Sequence, residues 1–178
     1  MTTDTIVSVA SNFGFTLAAP IDPAGIDCKT TVRADCERCK AYGHSWVCPP
    51  ACGEIDECAA RVHSYPHGVV VQTTGQLEDE FDGEGMMETA RLHGEHFREF
   101  YLHLRETYKG DAMLALGAGG CNKCPKCTYP DSPCLFPDEQ QSSMEAYGML
   151  IAEVCKDNGV PYYHGRSTIT YVSCYLFK

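Results

Sequence analysis

Four cysteines, Cys121, Cys124, Cys127 and Cys134, stand in the spacing C-x2-C-x2-C-x6-C, with Pro137 three residues beyond the last. A thiolate is a soft, anionic ligand, so cysteines at short regular intervals point to a bound metal or metal cluster. Three thiolates at successive i+3 steps converge from one tight loop, and the fourth returns from farther along to complete the coordination. Gly117-Ala118-Gly119-Gly120 precedes them, and glycine lets backbone N–H groups approach cluster sulfurs without side-chain obstruction.

Bacterial ferredoxins hold a 4Fe-4S cluster with the same first three spacings, a shorter last gap and a Pro after the final Cys. Zinc is the alternative. Four-cysteine zinc sites pair two C-x2-C knuckles across a longer spacer, and a C-x2-C-x2-C run fits that geometry poorly. The spacing favours a cluster.

Upstream, Cys36, Cys39, Cys48 and Cys52 read C-x2-C-x8-C-x3-C. Two readings stay open. As paired knuckles the segment is a zinc ribbon; as Cys36, Cys39 and Cys48 with an undecided fourth ligand it is a second 4Fe-4S site. Trp46, Pro49 and Pro50 would shield a cluster from water, or simply pack a loop with no sheet beneath it. Cys28 and Cys58 flank the segment as spare candidates, and His44 within it is a second-rank ligand or donor to sulfide. Cys155 and Cys174 fall inside a helix and a strand, where cysteine more often serves as a small buried apolar side chain.

Other chemistry is thinner. His93, His96 and His103 recur near one side of a helical stretch, but no carboxylate–histidine motif surrounds them, and a solvated helix face accounts for the pattern. There is no Walker phosphate loop, the dinucleotide frame G-x-G-x-x-G is not completed before Cys121, and no nucleophile elbow occurs. The catalytic residues, if any, stay unknown.

The chain has 178 residues, 44% of them apolar and 21% charged, enough for one compact domain with its own core. It has no need of disulfide staples, so its 12 cysteines call for another explanation. The first twenty residues include Asp4 and no continuous apolar core of signal-peptide type, and no run approaches a membrane span. The expectation is a cytoplasmic protein, where dense cysteine means metal or catalysis. A net charge of −10 disfavours nucleic acid as a partner. Lys29, Arg33, Lys40, Lys123 and Lys126 lie beside the cysteine motifs, either as solvated surface or tuning an anionic cluster.

Helix and strand signals alternate around these segments. Helices are expected over Thr3–Phe13, Glu54–His63, Glu84–Tyr108 and from Ser142 to Asp157, the last opened by a Ser142/Glu145 capping box. Strands are expected at Phe15–Ala19, Val69–Thr74, Ala112–Leu116 and Thr168–Phe177. Cys28 to Gly53 reads as a loop without regular structure. The fold class is therefore α/β or α+β: a small mixed sheet flanked by about four helices in one domain over 1–178, with cysteine-rich insertions at 28–58 and 117–137.

Three stretches together resemble a known family. They are Arg33-x2-Cys36-x2-Cys39-x2-Tyr42-Gly43-x4-Cys48-Pro49-Pro50, then Ala115-Leu116-Gly117-Ala118-Gly119-x-Cys121-x2-Cys124-x2-Cys127, then Ser143-Met144-Glu145-Ala146-Tyr147-Gly148. From about Phe15 to Phe177 the chain is similar to the cysteine-rich predicted metal-binding family called domain of unknown function 2284. The resemblance implies recurrent cysteines at Cys36, Cys39, Cys48, Cys121, Cys124, Cys127 and Cys134, with none required at Cys52. Three cysteines would then hold the first site and leave a coordination position open.

Three functions follow as expectations. The first is an iron–sulfur protein with two 4Fe-4S clusters that passes electrons to a redox partner protein or metalloenzyme. The second is an enzyme whose three-cysteine cluster binds sulfide or a small substrate. The third is a zinc-stabilised binding module.

Overall fold

The computed structural model describes residues 1–178. Helix α1 (Thr3–Ala10) is capped by the Thr2 side chain, continues as one 3-10 turn to Phe13 and stops at Gly14. Strand β1 (Leu17–Ile21) follows; Pro20 is tolerated there because β1 is an edge strand. The first cysteine segment is more regular than the expected loop. A short helix α2 (Thr30–Ala34) runs into a 3-10 turn over Asp35–Arg38, and turns carry the chain on to α3 (Ile55–His63). Strand β2 (His67–Gln76) leads to the long helix α4 (Gly83–Arg105), whose N-terminus is capped by the Asp82 carboxylate, 2.8 Å from the Gly85 N–H. Strand β3 (Met113–Leu116) precedes the second cysteine segment, and α5 (Ile151–Asp157) and β4 (Thr168–Phe177) close the chain.

The four strands form one sheet in the order β1-β2-β4-β3. Fold class stands as expected, helices layered on a small sheet, but every pairing is antiparallel rather than mixed. β2 and β4 pair over their whole length, from His67 opposite Phe177 to Gln76 opposite Thr168. Side chains alternate across a strand, so β4 feeds two cores. Tyr175 and Phe177 join Val69, Val71, Phe100 and Leu104 beneath α1 and α4. Val172, Cys174 and Leu176 join Val62, Met144, Tyr147 and Cys155 beneath α3 and α5. Burying both faces explains why β2 reads as the unbroken apolar run Val69-Val70-Val71.

One expected helix is broken. Residues from Ser142 to Asp157 do not form a single capped helix. Glu145–Tyr147 make one 3-10 turn, Gly148 turns left-handed at φ 75°, and α5 begins only at Ile151. Gly148 is required twice over: its φ suits glycine, and a Cβ there would sit 2.7 Å from the Lys29 carbonyl oxygen. The Lys29 N–H donates to the Gly148 carbonyl at 2.8 Å, and Cys28 bridges to Met149. The Ser143–Gly148 motif is thereby fixed to the entry of the first cysteine segment. Ser142 caps nothing; the neighbouring Ser143 hydroxyl accepts from the Ala146 N–H at 3.1 Å.

Candidate functional site

Both cysteine segments are turn-rich, so their side chains are aimed by local hydrogen bonds rather than by a helix or strand. The second leaves the end of β3, and its neck is closed at once: the Gly117 N–H donates to Ser142 at 2.9 Å and the Met144 N–H returns to Gly117 at 3.1 Å. Within the loop, Ser132 N–H to Thr128 and the Thr128 hydroxyl to Pro133 tie a turn between Cys127 and Cys134. Cys121, Cys124, Cys127 and Cys134 all line one cavity of about 40 Å³, walled by Trp46 and Phe136. The Phe136 N–H points at the Cys134 sulfur from 3.4 Å. Burial and the three neighbouring thiols push Cys124 above the ordinary thiol range. Burial also pushes Cys127 up, but N–H groups of Tyr129, Trp46 and Thr128 and the Ser45 hydroxyl outweigh it and bring that thiol below its usual value. Donors converging on a sulfur stabilise the thiolate, the form that binds metal.

Cys36, Cys39 and Cys48 line a second, larger cavity of about 480 Å³. The 3-10 turn carries Cys36, and a hairpin closed by the Gly43 N–H on Pro49 at 2.9 Å brings Cys48 back beside it. Burial pushes Cys48 up, with Cys39, Cys36 and Cys121 adding to it against a hydrogen bond from Ser45.

The two segments touch. A Cβ on Gly120 would lie 3.8 Å from the Cys48 sulfur. Trp46 reaches across, its indole N–H on Ser132 at 3.1 Å and its ring edge-on to Tyr129 at 4.9 Å. Nowhere do three His, Cys, Asp or Glu side chains close around a single point as one metal ion would require.

A family model described as a predicted metal-binding protein, DUF2284, matches residues 19–177. The chain belongs to that family. No curated protein and no solved structure matches it. The matched span of this DUF2284 protein contains both cysteine segments and both cavities.

Cys52 stands apart from the other first-segment cysteines. It lines neither thiol cavity, and the Cys58 thiol of α3 donates to its backbone carbonyl at 3.6 Å. The neighbouring Cys58 thiol and burial push Cys52 up, while Cys52, against burial and with Arg33 assisting, brings Cys58 below the ordinary thiol range. Arg33 holds this corner, one N–H 3.6 Å from the Cys58 sulfur and another on the Gly53 carbonyl. Cys28 lies nearby, its thiol pushed up to about 11 by burial and by Cys58. Cys155 and Cys174 are fully buried in the core, as their elements implied. His44 is exposed and lines neither thiol cavity.

The histidines of α4 are not a solvated face. His93 is 2% exposed and bonds Thr73 at 3.0 Å and Ser173 at 2.7 Å, pinning α4 to β2 and β4. His96 bonds Thr73 and His103 stacks on Phe100. Of the basic residues, Lys123 pairs with Glu139 and lies over the Phe136 ring, and Lys29 pairs with Glu153 at 2.5 Å. Sequence reasoning missed Ser45 and Glu145. Glu145, read as a capping residue, instead lines the larger cavity with Cys36, Cys39 and Cys48. Its place in the Ser143–Gly148 motif was the available signal; Ser45 carried none.

No helix is long and apolar enough to cross a membrane.

Proposed function

We propose that this protein is an iron–sulfur protein with two adjoining 4Fe-4S sites, Cys121/Cys124/Cys127/Cys134 and Cys36/Cys39/Cys48, and that it transfers electrons to a redox partner protein. One observation carries the reading: the seven thiols sort into a group of four around one cavity and a group of three around its neighbour. The donor set suits the group. A C-x2-C-x2-C run with a distant fourth cysteine suits a cluster, whereas four-cysteine zinc sites pair two C-x2-C knuckles across a spacer. Bound clusters would supply one-electron exchange. The chain supplies the rest. Ser45 and backbone N–H groups stabilise the Cys127 thiolate, Trp46 and Phe136 wall off water, and the contact between Gly120 and Cys48 keeps the sites adjacent.

A second reading, an enzyme whose first cluster binds a small molecule, is favoured by the pairing of Cys52 with Cys58. That pairing leaves three thiols, not four, at the larger cavity.

Anaerobic purification with iron and sulfide analysis and electron paramagnetic resonance tests the proposal. About eight iron atoms per chain and a reducible signal are expected of two such clusters. Colourless protein carrying only zinc, or thiols crosslinked in pairs, overturns it.

A further inference from the structure

The cavity beside Cys36, Cys39 and Cys48 has a chemical character that thiol ligation does not explain. Its wall is mostly apolar, and it carries two carboxylates, Asp35 and Glu145, with no Lys, Arg or His. Three of the large apolar side chains that the protein leaves exposed border it: Tyr42, Leu150 and Tyr162, at 37%, 40% and 42%. Apolar exposure gathered at a concave site marks a place where something binds. Glu145 adds a polar demand. Its Oε2 is buried and finds no hydrogen-bond donor within the protein, a costly state for a carboxylate unless a ligand supplies the donor. Asp35 at the mouth is only partly satisfied, by an exposed pairing with Arg38.

We propose that this cavity binds a small organic cation, its apolar body against Leu150 and the tyrosine rings and its ammonium N–H on Glu145. Every element favours that class over an anion. The only charged side chains in the wall are acidic, and tyrosine faces attract cations. The cavity of about 480 Å³ would be shared between a cluster on the three thiols and a molecule of amino-acid or monoamine size. The Ser143–Gly148 motif gains a purpose: its lock on Lys29 holds Glu145 over the thiols. The inference deepens the reading of a three-cysteine site, since the cation would sit beside that cluster.

The test is calorimetric titration of the anaerobically purified protein with 2-phenylethylamine, 2-phenylethanol and 3-phenylpropanoate, with iron measured on the same samples. The amine is expected to bind saturably and at least about tenfold more tightly than the alcohol or the carboxylate, the discrimination a buried charge-assisted bond gives. Glu145→Gln is expected to remove about tenfold of the amine affinity with iron content and thermal midpoint unchanged. Should that variant misfold, Ala152→Trp decides: Ala152 is exposed on the cavity wall, and a bulky ring there must block the amine while leaving the fold intact. No amine binding, equal binding of the carboxylate, or full affinity in Ala152→Trp overturns the inference. So does loss of iron from folded Glu145→Gln, which would make the carboxylate a metal ligand. Iron-free protein that still binds the amine refutes the cluster reading alone; iron-loaded protein that ignores the amine refutes this inference alone.

Discussion

The Cys58 thiol donates to the Cys52 carbonyl at 3.6 Å beneath Arg33, although Cys52 lies only four residues beyond Cys48 and Cys58 belongs to α3. Sequence spacing leaves Cys52 as one candidate for the undecided fourth ligand of the first segment; the fold sets it against Cys58.

Cys52→Ser is therefore expected to keep its full iron content, because Cys52 lines neither thiol cavity and its contact with Cys58 runs through its backbone carbonyl. Cys36→Ser, Cys39→Ser or Cys48→Ser should each remove up to about half of the iron, one cluster of two. Iron determination on the four purified variants checks this; iron loss in Cys52→Ser comparable to that in Cys48→Ser would return Cys52 to the ligand set.

Trp46 is the single tryptophan of the chain, and it lines the cavity that holds Cys121, Cys124, Cys127 and Cys134. Its fluorescence should report occupancy of the second site. Stripping metal from anaerobic protein with a chelator is expected to raise the emission several-fold, as an absorbing, electron-accepting neighbour is removed. Emission that does not change with metal content would place the metal elsewhere.

His93 gives the fold a pH dependence. Burial, with His96 adding to it, holds its imidazole down at about 4, whereas a free histidine takes its proton near about 6.5. Between those values the unfolded chain binds the extra proton, so stability falls as pH drops from about 6.5 toward about 4 and is fully present above that window. His93→Gln should lower the thermal midpoint at neutral pH, since the Thr73 and Ser173 hydroxyls lose well-placed partners, at a cost of about 1–3 kcal/mol. It should also shrink the fall in midpoint between about pH 7 and about pH 5. Equal falls in wild type and variant would mean that the histidine is not titrating.

Gly148→Ala must place a Cβ against the Lys29 backbone at a left-handed φ of 75°. A cost of about 2–4 kcal/mol is expected, seen as a drop of several degrees in thermal midpoint. Because Gly148 anchors the Ser143–Gly148 motif to the entry of the first cysteine segment, the variant should also weaken retention of metal by the first site more than by the second. Wild-type stability would show that the turn can relax.

Much of the frame was legible before the structure. α1, α3, α4 and β4 follow from apolar periodicity and caps, which are local properties of the chain. Cys155 and Cys174 were readable as core residues because their elements were. The misreadings share a cause: each depends on a residue distant in sequence. The helix expected from Ser142 breaks because Gly148 meets Lys29. His93 looks solvated until Thr73 and Ser173, on two different strands, are brought under it. Cysteine spacing left the place of Cys52 open, because its contact with Cys58 and the approach of Cys48 to Gly120 are made only by tertiary packing.

The closed neck at Gly117, where the backbone returns to Ser142 and Met144, has a consequence for how this stretch can change. A lariat tied at its base transmits little strain to what it hangs from. Residues inserted between Cys127 and Cys134 would enlarge the noose and leave the knot, and the sheet behind it, where they are. Evolution could thus retune the bound group or its docking rim without renegotiating the scaffold.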